Sequence, residues 1–279
     1  MMGSLNILIG CISYRLHTGS EMYFYELSSA LRDMGHNVSI LAIDAGSPLT
    51  DESKDITILN QDNIKDKEYD LVLFSHGSII WDIIKNVNTK KFINIIHSEV
   101  IALEKPVINE RISSYIAIRP TIVDYIKKVV PTGDIHLIYN PTDFKRFNKD
   151  MTKSPGGDKV VLFPGSLDYL RVKPVNFLLK MSEDQNFKAI HVGRNDYNIK
   201  HKNFETHPET NKIEEYYRQC DIVSGIFLGR TTIEGLLCGK RVLQFDVTST
   251  GEILRVYWHT EDNFDKFDKV IIAKKIISI

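Results

Sequence analysis

The feature that most restricts how this 279-residue chain can fold is an alternation along its length. Short apolar runs rich in Ile, Val and Leu alternate with stretches whose apolar residues recur at about every third or fourth position. The first kind suits strands buried on both faces and the second suits crossover helices, so the pattern predicts an α/β chain of parallel sheets covered by helices. In the first half the strand candidates are Asn6 to Ser13, Asn37 to Ile43, Ile56 to Leu59, Asp70 to Ser75, Phe92 to His97, Ser114 to Ile118 and Ile135 to Tyr139. Ser20 is expected to cap a helix that carries Met22, Tyr23, Leu27, Ala30, Leu31 and Met34 on one face and ends at Gly35. Further crossovers are expected at Ile79 to Val87 and Thr121 to Val129.

The period is lost from Asp150 to Asp158, where Pro, Gly and charge gather, and it then resumes. Strands are expected at Lys159 to Pro164, Phe187 to Val192, Asp221 to Ile226 and Arg241 to Phe245, with helices at Pro174 to Ser182, Lys212 to Gln219 and Thr231 to Cys238. The length exceeds the usual single-domain range of about 100–200 residues, so we expect two Rossmann-like domains, 1–150 and 151–279. The tail from Glu252 shows no clear period; it is given to the second domain, from which it could pack across the junction.

Composition narrows the functional classes. The net charge is -1, from 35 basic and 36 acidic residues, so the whole molecule exerts no long-range pull on polyanions. A 43% hydrophobic and 25% charged chain is not a disordered one. Cys11, Cys220 and Cys238 fit no zinc spacing and read as reduced thiols of a cytoplasmic protein. The run Leu5 to Ile12 is far short of the roughly 20 residues that cross a bilayer, and no transmembrane segment is expected. No Asp-x-Asp triplet offers a divalent-metal site.

Gly229 to Gly239 is the most informative segment. A strand runs into a glycine turn and then a helix that begins at Thr231 and Thr232, which directs backbone N–H groups and the positive end of the helix dipole toward the turn. Such a start suits a phosphate; Arg230 would add charge, and Glu234 could accept two hydrogen bonds from a ribose hydroxyl pair. The same spacing fits a threonine-capped helix with Glu234 as the capping-box partner, and spacing alone leaves the two readings open.

This segment resembles the C-terminal signature of the retaining glycosyltransferases of family 4, which have the GT-B fold of two Rossmann-like domains facing each other across a cleft. Glu234 matches the second glutamate of that signature and Gly239 its closing glycine, whereas Ile226 stands where the first glutamate belongs. The resemblance continues in order along the chain. Gly19-Ser20-Glu21 is similar to the family's loop over the donor phosphates or the acceptor, and His97, at a strand end, to its histidine beside the donor sugar. Arg119 occupies a serine position, and Ile138 to Phe147 resembles the element that ends the N-terminal domain, making Asn140 a cleft contact and Phe147 core. Val161 to Leu167 and Lys173-Pro174 resemble the diphosphate clamp, with Ser166 in place of arginine; Gly165 and Gly193 are backbone contacts to the donor, and Arg171 can stand in for the lost charge.

The resemblance implies metal-free, cofactor-free transfer of a hexosyl or pentosyl group from a nucleotide-diphosphate sugar, with retained anomeric configuration. His97, Lys173 and Arg171 are the candidate catalytic residues, with Gly19, Ser20, Gly165, Ser166, Gly193, Arg230, Thr231, Thr232 and Glu234 on the donor and Arg119 and Asn140 on the acceptor side. The acceptor is open: a glycan, a lipid, a small molecule or a hydroxylated base in DNA. A nucleotide-sugar-binding protein with degenerated catalysis, motivated by Ile226 and Ser166, and a GT-B epimerase or phosphorylase are the other classes to weigh.

Overall fold

Every run that the alternation marks as a strand lies in one of two mainly parallel sheets of the computed structural model, which describes residues 3–64, 67–149 and 159–279. The chain divides into two compact units, Met1–Pro141 with Lys266–Ile279, and Thr142–Asp265. The linker expected at Asp150 to Asp158 lies outside the described residues.

The first unit runs β1 (Asn6–Tyr14), α1 (Gly19–Asp33), β2 (Asn37–Ala45), the single turn α2 (Leu49–Glu52), β3 (Thr57–Leu59), β4 (Glu68–Tyr69), β5 (Leu71–Phe74), α3 (Gly77–Ile84), β6 (Asn88–Thr89), β7 (Phe92–Ile96), β8 (Ile112–Ala117), α4 (Pro120–Val129) and β9 (Ile135–Leu137). Seven strands form one sheet in the order β3-β2-β1-β5-β7-β8-β9, and β4 pairs with β6 apart from it. All pairings in the main sheet are parallel. Its centre is mainly apolar: Ile7, Leu8, Ile9, Val72, Leu73, Phe74, Ile93 and Ile95 are fully buried, with Asn94 a buried polar side chain among them that donates to the Phe74 carbonyl.

The second unit runs β10 (Lys159–Pro164), α5 (Val172–Gln185), β11 (Phe187–Val192), β12 (Phe204–His207), α6 (Ile213–Gln219), β13 (Ile222–Ile226), α7 (Arg230–Leu237), β14 (Arg241–Val247) and β15 (Ile253–His259). Its sheet has the order β12-β11-β10-β13-β14-β15, parallel except for the antiparallel pair β14–β15. Strand β15 arises from the tail that showed no clear period.

The chain then returns to the first unit as α8 (Lys269–Ser278). Asp268 caps it by accepting from the amides of Val270 and Ile271, at 2.9 and 3.0 Å. Ile272, Ala273 and Ile276 are buried in the first unit's core, and Lys269 pairs with the buried Glu26 of α1 at 3.1 Å. Residues 266–279 thus pack with the N-terminal unit, because an apolar stripe on a short helix needs a core to cover it.

Candidate active site

In the second unit β10 and β13 lie side by side while their chains leave in opposite directions, through α5 to β11 and through α7 to β14. Divergence of this kind opens a crevice at the carboxyl ends of the strands, the place where doubly wound sheets bind ligands. Gly165 and Gly193 end β10 and β11 with φ of 100° and 146°. The Gly165 N–H donates to the Val192 carbonyl (2.9 Å), the Leu167 N–H to that of Arg194 (2.6 Å), and the buried His191 ring, through Nε2, to that of Gly165 (2.7 Å). A Cβ on Gly193 would collide with the Gly165 carbonyl, so the two turns are held in direct contact. Ser166 sits beside them, partly exposed.

Arg171 is the residue before α5 and pairs with Asp168; Lys173, in the first turn, pairs with Glu252 from the loop after β14. That loop lies flush against the one after β10, since a Cβ on Gly251 (φ 77°) would run into the Tyr169 carbonyl. Asp168 and Glu252 escaped sequence reasoning. Glu252 opened the aperiodic tail, and only the fold brings it to Lys173 across 79 residues of chain.

At α7 the capping-box reading fails. The N-cap is Gly229, with extended backbone and no side-chain cap. Thr232, buried, donates its hydroxyl to the Phe227 carbonyl at 2.9 Å, and Thr231 is partly exposed. Glu234 does not reach back to the cap: Oε1 lies 2.6 Å from Nε of Arg230, and Oε2 accepts the Tyr217 hydroxyl at 2.9 Å. Burial and the adjoining Glu234 charge push the Tyr217 phenol well above its ordinary pKa, so it stays a donor. Its ring meets Phe147, which is core as expected, at 5.8 Å. The turn into α7 carries Phe227 at φ 56°, a left-handed conformation that a bulky residue rarely adopts. Ile226, the last residue of β13, is buried and brings no hydrogen-bonding side chain.

The first unit has its own divergence between β1 and β5. Glu21, 3% exposed in the first turn of α1, accepts from the Ser13 hydroxyl (2.6 Å), the amides of Arg15 (2.9 Å) and Leu16 (3.2 Å), and the Thr18 hydroxyl. One carboxylate therefore shapes the whole turn that precedes Gly19 and Ser20. Ser20 does not cap α1 as expected; the N-cap is Thr18, whose hydroxyl is drawn to Glu21, and Gly19 and Ser20 are the first helical residues.

Across the divergence, His76 stands at φ 62° before α3. Its Nδ1 accepts from the Ile12 N–H at 3.2 Å, which leaves the proton on Nε2, 3.6 Å from Glu104. Glu104, 4% exposed, accepts the His97 N–H at 3.1 Å; Arg119 donates to the His97 carbonyl at 3.2 Å and pairs with Glu99. The peptide of His97 is thus gripped on one side by a carboxylate and on the other by a guanidinium. Its ring packs edge-on to Tyr23 (4.8 Å) and Phe24 (5.6 Å), and among the described residues its buried Nε2 has no hydrogen-bond partner. Burial, with the neighbouring His76 and Arg119, holds His97 at about 3; burial also holds His76 at about 4 and raises Glu104 to about 7. Arg119 is buried, and so is Asn140 after β9. Glu104, Glu99 and His76 lie in irregular segments that carry no periodic signal.

No family model matches the sequence, and no curated protein matches it. Solved structures do match. A glycosyltransferase from Rickettsia africae ESF-5 is 16% identical over 99% of this chain and 88% of its own, with a TM-score of 0.68. Anabaena Alr3699/HepE in complex with UDP-glucose is 15% identical over 98% of each chain, with a TM-score of 0.71. An alpha-glucosyltransferase in complex with UDP and a 13-mer DNA containing an HMU base is 11% identical over 87% of this chain and 80% of its own, with a TM-score of 0.62. At such identities the likeness is one of fold, and the chain has the fold of the GT-B glycosyltransferases, two Rossmann-like α/β domains.

Proposed function

We propose that this chain is a retaining, metal-independent glycosyltransferase that moves a hexosyl or pentosyl group from a nucleotide-diphosphate sugar to a hydroxyl acceptor in the cytoplasm. The observation that carries this reading is the convergence, at the β10/β13 divergence, of the N-termini of α5 and α7 with Arg171, Lys173 and Arg230. Helix N-termini and fixed cations at such a point suit a diphosphate. Two of the structures that share the fold hold UDP or UDP-glucose.

In the reaction the bond from the anomeric carbon to the phosphate oxygen breaks and a bond to the acceptor oxygen forms, the acceptor proton passing to the leaving phosphate. Negative charge grows on that phosphate. Lys173, Arg171 and the first-turn amides of α7 would stabilise it, with Lys173 leaving Glu252 for the phosphate. In this reading Glu234, positioned by Arg230 and Tyr217, accepts from the ribose hydroxyls, while Gly165, Ser166 and Gly193 supply close backbone approach. In this reading Gly19, Ser20 and His97 serve the donor, and Arg119 and Asn140 the acceptor.

The test is incubation with a panel of radiolabelled nucleotide-sugars, alone and then with glycan, lipid extract or DNA. Slow hydrolysis of one donor, accelerated by one acceptor class, is the expected result. Tight donor binding without turnover would establish the degenerate reading, and neither binding nor turnover would overturn the function. The DNA-base acceptor is favoured only by the likeness to the DNA-bound alpha-glucosyltransferase. Against it, Lys85 and Lys90, which with Lys91 make one cluster of basic residues, are paired with Asp82 (3.0 Å) and Asp70 (2.8 Å), which weakens any phosphate-tracking face there.

A further inference from the structure

In the turn that leaves β10, one peptide is held by a side chain and not by the backbone of its neighbours. The Gly165 N–H is bonded to the Val192 carbonyl and the Leu167 N–H to the Arg194 carbonyl, so the peptides on either side of the Gly165–Ser166 bond are tied to the end of β11 and the turn after it. The peptide between them offers the Gly165 carbonyl and the Ser166 N–H. The carbonyl accepts from Nε2 of His191 at 2.7 Å. Among the described residues the Ser166 N–H donates to no protein group.

His191 is fully buried on β11, in register with Phe163 of β10, and its ring lies 6.1 Å from that of Phe204 on β12. Burial disfavours a second proton, so the ring is neutral and its one proton is on Nε2. Nδ1 is buried and has no partner among the described residues. An apolar side chain here would avoid that orphaned acceptor, so packing alone does not account for a histidine.

What the imidazole does is fix an orientation. Gly165 has φ 100°, and a glycine in such a turn lets the following peptide reverse at small cost. In a trans peptide the C=O and N–H point in opposite directions. With the carbonyl drawn toward β11, the Ser166 N–H points from β10 away from β11, to the side on which β13 lies and α7 begins. A reversed peptide would turn a carbonyl oxygen to that side, where it would repel an anion. Gly193 presses on the Gly165 carbonyl but donates nothing to it, since its N–H is bonded to the His207 carbonyl at 3.0 Å. His191 therefore sets which end of the peptide the crevice receives.

We propose that His191 is a positioning residue for sugar transfer: by holding the Gly165 carbonyl it aims the Ser166 N–H at the donor diphosphate, where the amide hydrogen-bonds the departing phosphate. The inference rests on the donor site proposed for the second unit. A fixed amide aimed where charge develops acts most strongly in the transition state. His191 lies beneath the turn and acts through it alone.

A matched pair of variants separates this role from packing. Gln and Met are both unbranched and near His in volume, and of the two Gln alone carries an N–H for the Gly165 carbonyl. His191→Met should lower kcat by about a hundredfold while the donor KM changes by less than about threefold, and His191→Gln should recover most of the loss. Equal kcat values for the two variants overturn the proposal, as does a loss confined to KM. Nuclear magnetic resonance on protein with isotope-labelled serine and histidine needs no turnover. The wild-type His191 ring should be the Nε2–H tautomer; the Nδ1–H tautomer, which cannot donate to Gly165, overturns the proposal without any variant. Inorganic pyrophosphate should move the Ser166 amide proton downfield in the wild type and in His191→Gln, and far less in His191→Met. An unmoved Ser166 amide in a protein that transfers sugar overturns the positioning role and leaves the proposed function standing. A shifted amide in a protein that turns over no nucleotide-sugar supports the aim of the amide at a diphosphate and removes the transfer.

Discussion

The two sheets diverge in the same way, at β10/β13 and at β1/β5, yet they place opposite chemistry at the divergence. In the second unit three cations, Arg171, Lys173 and Arg230, each meet a carboxylate, and two of the three pairs are partly open to solvent. In the first unit the charged groups are buried: Glu21 is spent on four donors of its own turn, and His76, Glu104 and Arg119 close around His97. Exposed paired cations can exchange partners with an incoming anion. A buried polar network cannot move cheaply, and its members hold backbone and rings in place. One topology thus carries exchangeable ion pairs at one divergence and a buried network that holds geometry at the other.

The largest effect that could break this contrast is structural. Gly193→Ala places a Cβ against the Gly165 carbonyl in a left-handed backbone, and should destabilise the second unit by about 3 kcal/mol, read by thermal unfolding; an unchanged melting curve would mean the two turns are not locked together. Next comes Lys173→Ala, which should lower kcat by about a hundredfold if the lysine stabilises the leaving phosphate. Glu252→Gln, which frees the lysine of its carboxylate, should change kcat far less, and equal losses from the two would show Glu252 to be essential to the lysine's placement.

Glu234→Ala should weaken nucleotide-sugar binding by about 1.5–3 kcal/mol, measured by calorimetry, and unaltered affinity would remove it from the ribose. The smallest effect concerns pH and the first unit. His76 and His97 have folded-state values far below the ordinary 6.5, so their contribution to stability is present above that pH and is lost as pH falls through it toward 4. Glu104, raised to about 7, acts in the opposite sense between about 4.5 and 7, where the folded state holds a proton that the unfolded state releases. Two histidines against one glutamate leave stability falling as the pH drops from 6.5 to 4.5. Glu104→Gln should make that fall about twice as steep, and an unchanged slope would mean the carboxyl is not protonated in the fold.

Strand positions were readable because each is a continuous apolar run that a parallel sheet buries on both faces. Even so, Thr18 rather than Ser20 holds the N-cap position of α1 without a side-chain cap, its hydroxyl donating to Glu21, and α7 starts at Gly229, with the Thr232 hydroxyl donating to the Phe227 carbonyl. Arg171, Lys173, Arg230 and Glu234 were legible as residues at helix starts. Their partners Asp168, Glu252 and Tyr217 were not, and neither was the grip of Glu104 and Arg119 on His97, since those contacts follow from how loops meet and not from any period along the chain.

The sequence by itself determined the alternation of strands and helices, the glycine turns and the helix N-termini at the strand ends, because these depend on neighbours within a few residues. Only the tertiary structure decided which carboxylate neutralises which cation, that the last helix packs with the first unit, and that β15 joins the second sheet beside β14. These depend on contacts between residues tens to hundreds of positions apart, where local propensity has no influence and burial alone selects the partner.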